Sequence, residues 1–248
     1  PVRVMLAERL PNAEAIIKRL GRCAVEAKLD GFRYQIHLSR RKVEIFSRNL
    51  EPMTGMFPDI VAAIRANLQA HTAILDGEAL ALNEATEEFY PFQVTVQRKR
   101  KHKIEELARD FPLVFVTFDL LYADGKDYTQ ETYEERRAAL EKLIKPTKAK
   151  GKTGANGKLR VVERVITESA EELQKFFDEQ IEHGLEGILA KWLESSYEPG
   201  GRNYNWIKLK RAYPGELSDT IDVVIVGYLR GRGMRTKLGI GALLAAVY

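Results

Sequence analysis

Apolar and polar positions along the chain follow two periods, which predict a mixture of strands and helices. The runs that are typical of strands lie at 24–38, 42–47, 73–82, 113–122, 187–193, 204–211, 221–228 and 240–248. The amphipathic segments that are typical of helices lie at 12–20, 58–68, 103–109, 130–144 and 169–184. Because these elements mix without a regular β-α-β alternation, we expect an α+β fold with antiparallel sheets flanked by helices.

Composition along the chain indicates where domains divide. Residues 146–158 are rich in Gly and Lys and offer little to bury, which predicts a mobile surface loop. A new strand-like run begins near residue 219. We therefore expect a main domain over 1–217 and a piece of a second domain over 218–248.

Composition also excludes several classes of protein. Of the 248 residues, 45% are hydrophobic and 30% are charged, which describes a folded chain with a sizeable core. No apolar run approaches the roughly 20 residues that a membrane-spanning helix needs, so we expect no membrane partner. A single cysteine, Cys23, excludes an internal disulfide framework and a cysteine-based zinc site, and it indicates a reducing intracellular compartment. A start at Pro1 rather than at a methionine suggests a processed or excised piece.

Positive charge is concentrated in one segment. The net charge is only +4, but residues 97–103 read QRKRKHK. A solvated loop is the ordinary interpretation of such a run. Phosphate binding is the alternative, because each neutralised phosphate releases a counterion and strengthens the association.

The segment with the most chemical information is 26–33 (EAKLDGFR), which places a lysine inside an apolar strand pattern. The ammonium of a lysine is strongly hydrated and is seldom buried without a partner. Among other cations, however, Lys28 can lose its proton and act as a nucleophile. Four positions with one wildcard match by chance in many proteins, so the interpretation depends on the rest of the chain.

Five further segments place polar or aromatic side chains in or beside strands. Each has an ordinary interpretation by itself: acidic residues at strand ends are usually solvated, a strand phenylalanine is usually core, and alternating lysines usually mark a solvent-facing edge. The side chains are Arg48, Glu78, Phe118, Glu186, and the pair Lys208 and Lys210, which alternation places on one face.

In this order the segments resemble the motifs of the covalent nucleotidyltransferases, a group that comprises ATP-dependent DNA ligases, RNA ligases and capping enzymes. Segments 91–101 (PFQVTVQRKRK), 199–206 (PGGRNYNW) and 219–222 (DTID) narrow the resemblance to the replicative ATP-dependent DNA ligases of archaea and eukaryotes. It covers nearly the entire chain. It implies an adenylation domain whose two antiparallel sheets hold the nucleotide between them, followed by an incomplete OB-fold.

The resemblance implies a role for each of these residues. Lys28 would attack the α-phosphorus of ATP and form a covalent lysyl-AMP. The AMP would then pass to the 5′-phosphate of a nick in double-stranded DNA, and the 3′-hydroxyl would seal it. The other implied contacts are Glu26 and Phe118 with adenine, Arg48 with the ribose or the nick phosphate, Glu78 and Glu186 with Mg²⁺, Lys208 and Lys210 with the α-phosphate, Arg33 with the nucleotide and the nick, and Arg98, Lys99, Arg100 and Lys101 with DNA.

Elementary electrostatics agrees with these roles. A free lysine has a pKa of about 10.4 and is mostly protonated at neutral pH. Lys208, Lys210, Arg33 and Mg²⁺ would disfavour a further positive charge on Lys28, and they would neutralise the phosphoryl oxygens in the transition state. Mg²⁺ takes few carboxylates together with waters and phosphate oxygens, which suits two glutamates.

Several alternatives stay open. An NAD-dependent ligase shares the KLDG motif but needs an upstream domain, and only 27 residues precede Lys28. An RNA ligase and a GTP-dependent capping guanylyltransferase are disfavoured by the segment 91–101. A non-catalytic DNA-binding module on the same scaffold is disfavoured because none of the motif residues is substituted.

The resemblance also implies what lies beyond this segment. Ligases of this type have a helical DNA-binding domain before the adenylation domain and a complete OB-fold after it, whereas 29 residues follow Asp219. We therefore expect this chain to bind ATP or AMP, to self-adenylate slowly and to seal nicks poorly. We expect a monomer that serves DNA replication, repair and recombination, in the cytoplasm of an archaeon or the nucleus of a eukaryote. A sliding clamp is a candidate partner through other segments.

Overall fold

The structure, a computed structural model, describes residues 1–40, 42–86, 88–99, 102–144, 157–211, 224–230 and 240–246. The strands are β1 (Leu6–Arg9), β2 (Cys23–Lys28), β3 (Phe32–Ser39), β4 (Lys42–Ser47), β5 (Thr72–Asn83), β6 (Glu88–Phe89), β7 (Leu113–Ala123), β8 (Lys126–Asp127), β9 (Leu159–Val161), β10 (Arg164–Thr167), β11 (Gly187–Trp192), β12 (Arg202–Lys210), β13 (Val224–Arg230) and β14 (Ile240–Ala246). The helices are α1 (Ala13–Leu20), α2 (Pro58–Asn67), α3 (Phe92–Thr95), α4 (Ile104–Asp110), α5 (Tyr133–Leu143) and α6 (Ala170–Glu182).

Helix ends follow from local chemistry. The side chain of Asn12 accepts a hydrogen bond from the backbone of Ala15 at 2.9 Å and begins α1, which ends at Gly21. Thr132 and Glu135 form a reciprocal capping box at the start of α5. The five helices that the sequence predicts are therefore present, with ends that differ by a few residues.

Two sheets carry the main unit. Sheet A has the strand order β1-β12-β11-β2-β10, and sheet B has the order β4-β3-β5-β7-β8, with β6 paired to β5 and β9 paired to β7. The expected fold of two sheets flanked by helices is confirmed. Most strand pairs are antiparallel, and two pairs at the sheet margins are parallel, β1 with β12 and β9 with β7. Both added strands have only three or four residues, too few to show a hydrophobic period.

The chain passes from sheet A to sheet B directly after Lys28. The run 24–38 was predicted as one strand and is two, since the turn of Leu29, Asp30 and Gly31 separates β2 from β3. Sheet A packs one face on α1 and α6 through a core that includes Ile16, Leu173 and Ile207. Sheet B packs on α2 and α5 through a larger core. The opposite faces of the two sheets meet at Phe118 and Trp206, and the space beside this contact is called the cleft below.

The chain divides into two compact units, Pro1–Lys210 and Arg211–Tyr248. In the second unit, β13 and β14 form a two-stranded antiparallel sheet whose described side chains include several exposed apolar ones. The predicted boundary at 217/218, the segment 219–222 and most of the loop 146–158 lie outside the described residues. That 218–248 is a piece of an OB-fold stays a prediction.

Candidate active site

Lys28 ends β2 in a turn that only glycine can close. Gly31 lies so near β5 that an added Cβ would overlap the carbonyl oxygen of Ala79 and crowd the side chain of Glu78. This close approach joins the two sheets beside Lys28. The Asp-Gly after the lysine is thus a packing requirement of the site.

Lys28 shares one carboxylate with a second lysine. Its Nζ donates to Oε2 of Glu186, and Nζ of Lys210 donates to Oε1. Strand register explains why they meet, because Gly187 lies opposite Lys28 on β2 and opposite Lys210 on β12. Gly187 has a φ of 143°, and an added Cβ would overlap the carbonyl oxygen of Leu209. The structure therefore brings together three residues that the sequence predicted to converge.

Positive charge dominates this part of the cleft. Burial would raise the pKa of Glu186, but hydrogen bonds from Lys210 and Lys28 outweigh it and hold that pKa below its usual range. Burial and the charges of Arg202, Lys210 and Lys28 lower the pKa of Lys208. Two lysines therefore pair with one ionised carboxylate while a third, Lys208, feels the charges of both, and this excess of positive charge favours binding of an anion.

Glu78 of β5 faces the site from sheet B, in register with Arg33 of β3. Burial raises the pKa of Glu78 to about 8, although the charges of Arg33 and Lys28 act in the opposite direction. Arg33 pairs with the buried Asp76 through Nε at 3.1 Å and Nη2 at 2.7 Å, and it donates to the carbonyl of Met5 at 2.8 Å. Arg33 thus lies at the site with its donors engaged, and its contact with the nucleotide stays a prediction.

Phe118 lies at a β-bulge. Two consecutive residues of β5 pair with Thr117 and Asp119 of β7, so Phe118 between them is the extra residue. Its half-buried ring makes an edge contact with Trp206 of sheet A, with centroids 6.0 Å apart. The bulge therefore directs the ring between the two sheets, where the resemblance expects it to stack on a base.

Glu26 is buried and accepts three hydrogen bonds. Its carboxylate is 1% exposed and lies 2.6 Å from the hydroxyl of Tyr133, 3.3 Å from Nη1 of Arg137 and 2.8 Å from Nζ of Lys191. The predicted contact with adenine stays a prediction, and it would use the lone pairs that these donors leave.

Sequence reasoning gave no role to the buried ion pairs around Glu26. Nζ of Lys191 also donates to the carbonyl of Phe118 at 3.1 Å and lies 3.9 Å from Asp119. Asp119 forms a two-point pair with Arg136, at 2.7 and 3.1 Å. The sequence did contain a signal for these pairs, because Asp119 and Lys191 each lie inside an apolar strand run. A charged residue in such a run is buried only with a partner.

Arg48 lies just beyond the end of β4 and is exposed. Ser47, the last residue of that strand, pairs with Tyr34 of β3. The next position therefore falls beside Arg33, at the end of sheet B that carries Glu78. This placement suits the predicted contact of Arg48 with a ribose or a phosphate, which stays a prediction.

Arg98 is not available for the DNA contact that the sequence predicted, and the structure corrects it. The side chain is 1% exposed and forms a two-point pair with Asp59, at 2.8 and 3.0 Å. It also donates to the carbonyls of Leu107 and Phe111, at 3.2 and 2.8 Å. The guanidinium therefore joins α2 to α4 inside the protein.

The rest of the basic segment is described only in part. Lys99 is exposed, and its ammonium lies 5.7 Å from the ring centroid of Phe32. Arg100 and Lys101 lie outside the described residues. The DNA contacts of these three cations stay predictions.

Two features are absent from the described residues. No group of three or more His, Cys, Asp or Glu side chains could hold a metal ion there. No helix of the described part has the length and apolar character to cross a membrane.

Comparison with known proteins gives consistent results. A family model described as "ATP dependent DNA ligase domain" matches residues 4–210. The chain is 52% identical over 248 residues to a probable DNA ligase of Dictyoglomus thermophilum and 41% identical over 252 residues to a DNA ligase of Thermoplasma volcanium. Each alignment covers 100% of this chain but 41% of the relative. The chain thus spans about two fifths of the length of these relatives.

Solved structures with the same fold include a mycobacterial DNA ligase D complexed with ATP, with a TM-score of 0.65, 28% identity, and coverage of 98% of this chain and 67% of that one. The ATP-dependent DNA ligase of bacteriophage T7 has a TM-score of 0.56 at 15% identity and covers 99% of this chain and 80% of its own. At that identity the likeness concerns the fold alone.

Proposed function

The chain belongs to the ATP-dependent DNA ligase family, and we propose that it carries out nucleotidyl transfer from ATP to nicked DNA with Lys28 as the nucleophile. The observation that supports this most directly is the pairing of Lys28 and Lys210 on the single carboxylate of Glu186. It puts an amine, two further lysines and an ionised carboxylate at the junction of two sheets. An ordinary surface salt bridge would not require two lysines from different strands to share one carboxylate.

The proposed first step forms a phosphorus–nitrogen bond. The ammonium of Lys28 first loses a proton to solvent, and the neutral amine then attacks the α-phosphorus of ATP. The bond to the bridging oxygen breaks with its electron pair on pyrophosphate, and the nitrogen releases a second proton. Lys208 and Lys210 would donate to the α-phosphate oxygens and disfavour reprotonation of the amine.

The second and third steps move the AMP onward. An oxygen of the nick 5′-phosphate attacks the same phosphorus and displaces the Lys28 nitrogen, which takes up a proton. The 3′-hydroxyl then attacks the 5′-phosphorus, loses its proton and displaces AMP. Arg48 is placed to contact the incoming phosphate, and Lys99 is placed to contact the DNA backbone.

Recognition of adenine would rest on Glu26 and Phe118. An ionised carboxylate only accepts hydrogen bonds, so Glu26 suits the amino group at position 6 of adenine and opposes the carbonyl of guanine at that position. Tyr133, Arg137 and Lys191 hold the carboxylate in place. The same geometry argues against a GTP-dependent capping enzyme.

The residues present fit a divalent cation of the Mg²⁺ type. Glu186 is ionised, and Glu78 has a pKa raised to about 8 by burial, so a nearby cation would stabilise its charge. Two carboxylates are enough for Mg²⁺, which keeps waters and binds phosphate oxygens. Glu78 and Glu186 would hold the ion, which when bound would supply positive charge to the phosphates.

The proposed DNA substrate sets the biological context. A nick in double-stranded DNA arises in replication, repair and recombination, and we propose these as the processes served, within the compartment that holds the DNA. We further propose that the chain acts as a monomer, with any sliding clamp contacted through other segments.

Labelled nucleotides test the proposal. The chain with Mg²⁺ should capture label from ATP carrying it at the α-phosphate, and pyrophosphate should release the label as ATP. A nicked duplex with a 5′-phosphate should receive the label, whereas the same duplex with a 5′-hydroxyl should not. Capture of GMP in preference to AMP would contradict the proposal. DNA binding without any capture would favour the non-catalytic module.

A further inference from the structure

A wide bulge in β12 brings two cations together at the edge of sheet A. In the parallel pairing of β1 with β12, Leu6 lies opposite Arg202 and Arg9 lies opposite Lys208. Three steps along β1 therefore match six steps along β12. At about 3.3 Å per residue, the backbones of Arg202 and Lys208 are separated by about 10 Å instead of about 20 Å, within reach of two long side chains.

Hydrogen bonds fix this bulge. The backbone N–H of Asn205 donates to Oδ1 of Asn203 at 2.9 Å, and its side-chain amide donates to Oε1 of Glu198 at 2.8 Å. The backbone N–H of Gly201 donates to the carbonyl of Glu198 at 2.9 Å. The exposed side chain of Arg202 thus starts from an anchored backbone.

Neither cation has a salt-bridge partner among the described residues, although the charge of Glu8 on β1 acts on Lys208. Glu186 takes up the ammoniums of Lys28 and Lys210, but neither Lys208 nor Arg202 forms a salt bridge with any residue in the described ranges. Burial is the first cause that lowers the pKa of Lys208, and the charge of Arg202 is the second, ahead of the neighbouring lysines. The positive charges of Lys208 and Arg202 therefore repel each other, and a bound anion would relieve this repulsion.

Strand order places this pair on the side opposite to the nucleophile. Lys28 lies in β2, whereas Lys208 and Arg202 lie in β12 beside the edge strand β1, with β11 between. In phosphoryl transfer the attacking and leaving atoms are roughly in line across phosphorus. An α-phosphate attacked from β2 would therefore send its leaving group towards the β1 edge.

We propose that Arg202, beside the α-phosphate ligand Lys208, binds the pyrophosphate half of ATP and stabilises the charge that develops on it as it leaves. This inference rests on the proposed function, because it takes Lys28 as the nucleophile. The bond that breaks joins the α-phosphorus to the bridging oxygen, and the electron pair leaves with pyrophosphate. Arg202 keeps its protons and only donates hydrogen bonds, for which the guanidinium fork suits two phosphate oxygens.

Equilibrium binding tests this inference without relying on turnover. The affinities of α,β-methylene-ATP and AMP are measured by calorimetry with Mg²⁺ for the unmodified chain, Arg202→Ala and Arg202→Lys. Arg202→Ala should bind α,β-methylene-ATP about 10-fold more weakly, the loss of one charge-assisted contact, and should bind AMP within about 2-fold. Arg202→Lys should recover part of the loss. Arg22→Ala, which removes an exposed cation at the far end of β2 from Lys28, should change neither affinity.

Three outcomes would overturn the inference. Arg202→Ala could match Arg22→Ala, or it could weaken AMP as much as the triphosphate analogue, which would mean a general effect on the site. It could instead abolish the preference for a nicked duplex with a 5′-phosphate over one with a 5′-hydroxyl, which would assign Arg202 to the nick. An unmodified chain that binds neither nucleotide would refute the proposed function itself, whereas failure of the Arg202 variant alone would leave it standing.

Discussion

The two ends of the cleft differ in how their charges are satisfied. At the base end, every charged side chain is at most 5% exposed and is paired with an opposite charge. That end is formed by Glu26, Asp119, Arg136, Arg137 and Lys191. At the phosphate end, the side chains are partly exposed, one carboxylate serves two ammoniums, and a third lysine has no salt bridge within the described residues. That end is formed by Lys28, Glu186, Lys208 and Lys210.

This difference indicates what each end contributes. The base end is complete before any ligand arrives, so its carboxylate can select a base by position and charge without reorganisation. The phosphate end has an excess of positive charge that a nucleotide would neutralise. Selectivity should therefore depend on the first end, and affinity for phosphates on the second.

The difference between the two ends is tested most strongly by making the same substitution, lysine to methionine, at each end. Lys191→Met leaves Glu26 and Asp119 buried with one cation fewer, and we expect a loss of about 3–5 kcal/mol in the free energy of unfolding. Lys210→Met, its matched control, should change that free energy by less than about 1 kcal/mol, because the side chain is 36% exposed. Urea unfolding followed by circular dichroism measures both. Equal losses would show that the two ends do not differ.

The pH dependence of stability probes Glu78. Since its pKa is raised to about 8 in the folded chain, the stability that it contributes is fully present below about pH 4 and is lost as the pH rises through 8. Between pH 5 and 8, without metal, the unmodified chain should lose on the order of 1 kcal/mol per pH unit relative to Glu78→Gln. Glu182→Gln, an exposed control at the end of α6, should not reproduce this slope. Parallel curves for the Glu78 variant and the unmodified chain would show that the carboxyl is not desolvated.

Selectivity for the base separates the two glutamates. Glu26→Gln introduces an amide that can donate to the carbonyl of guanine, so the preference for ATP over GTP should fall by about 10-fold, the value of one misplaced hydrogen bond. With Mg²⁺ present, Glu186→Gln should weaken both nucleotides together, because it removes a proposed ligand of the ion, and should leave the preference unchanged. Competition binding with labelled ATP reports both values. A change of preference in Glu186→Gln alone would reverse the roles assigned to the two ends.

The smallest expected effect concerns the neighbours Arg98 and Lys99. Outside the cleft they show the same contrast between a buried, paired cation and an exposed one. Lys99→Ala should weaken binding of nicked DNA by about 3-fold and lower the slope of log affinity against log salt by about 1, as for one lost phosphate contact. Arg98→Lys keeps the charge but loses the two-point pair with Asp59, so it should lower stability and leave the salt slope unchanged. Filter binding over a salt series measures both slopes. A lower slope for Arg98→Lys would restore its predicted DNA contact.

The phosphate end could be predicted from the sequence because its residues lie in the short segments that carry the family resemblance, although Lys28 and Glu186 are 158 residues apart. Lys208 and Lys210 alternate on one strand, and a glycine that is required for packing follows Glu186. Strand pairing then sets these residues beside Lys28. The order of the motifs along the chain therefore predicted this end, and strand register explains why the residues meet.

The base end could not be predicted in the same way. Tyr133 and Arg137, which reach Glu26 from α5, lie in none of the segments that carry the resemblance, so only tertiary packing reveals them. The predicted DNA contact of Arg98 was wrong for the same reason. A consecutive basic run gives no sign that one of its members is buried against Asp59 on α2. Sequence pattern assigns a charged residue to a segment but does not show which partner it finds.

The central claim is that Lys28, and no other lysine of the cleft, carries the nucleotide. Peptide mapping by mass spectrometry after incubation with ATP and Mg²⁺ tests it directly, with Lys28→Ala as the matched variant. The account predicts one AMP per chain, found on the peptide that contains Lys28 and missing from the variant. AMP on the peptide of Lys191, Lys208 or Lys210, or undiminished capture by Lys28→Ala, would contradict it.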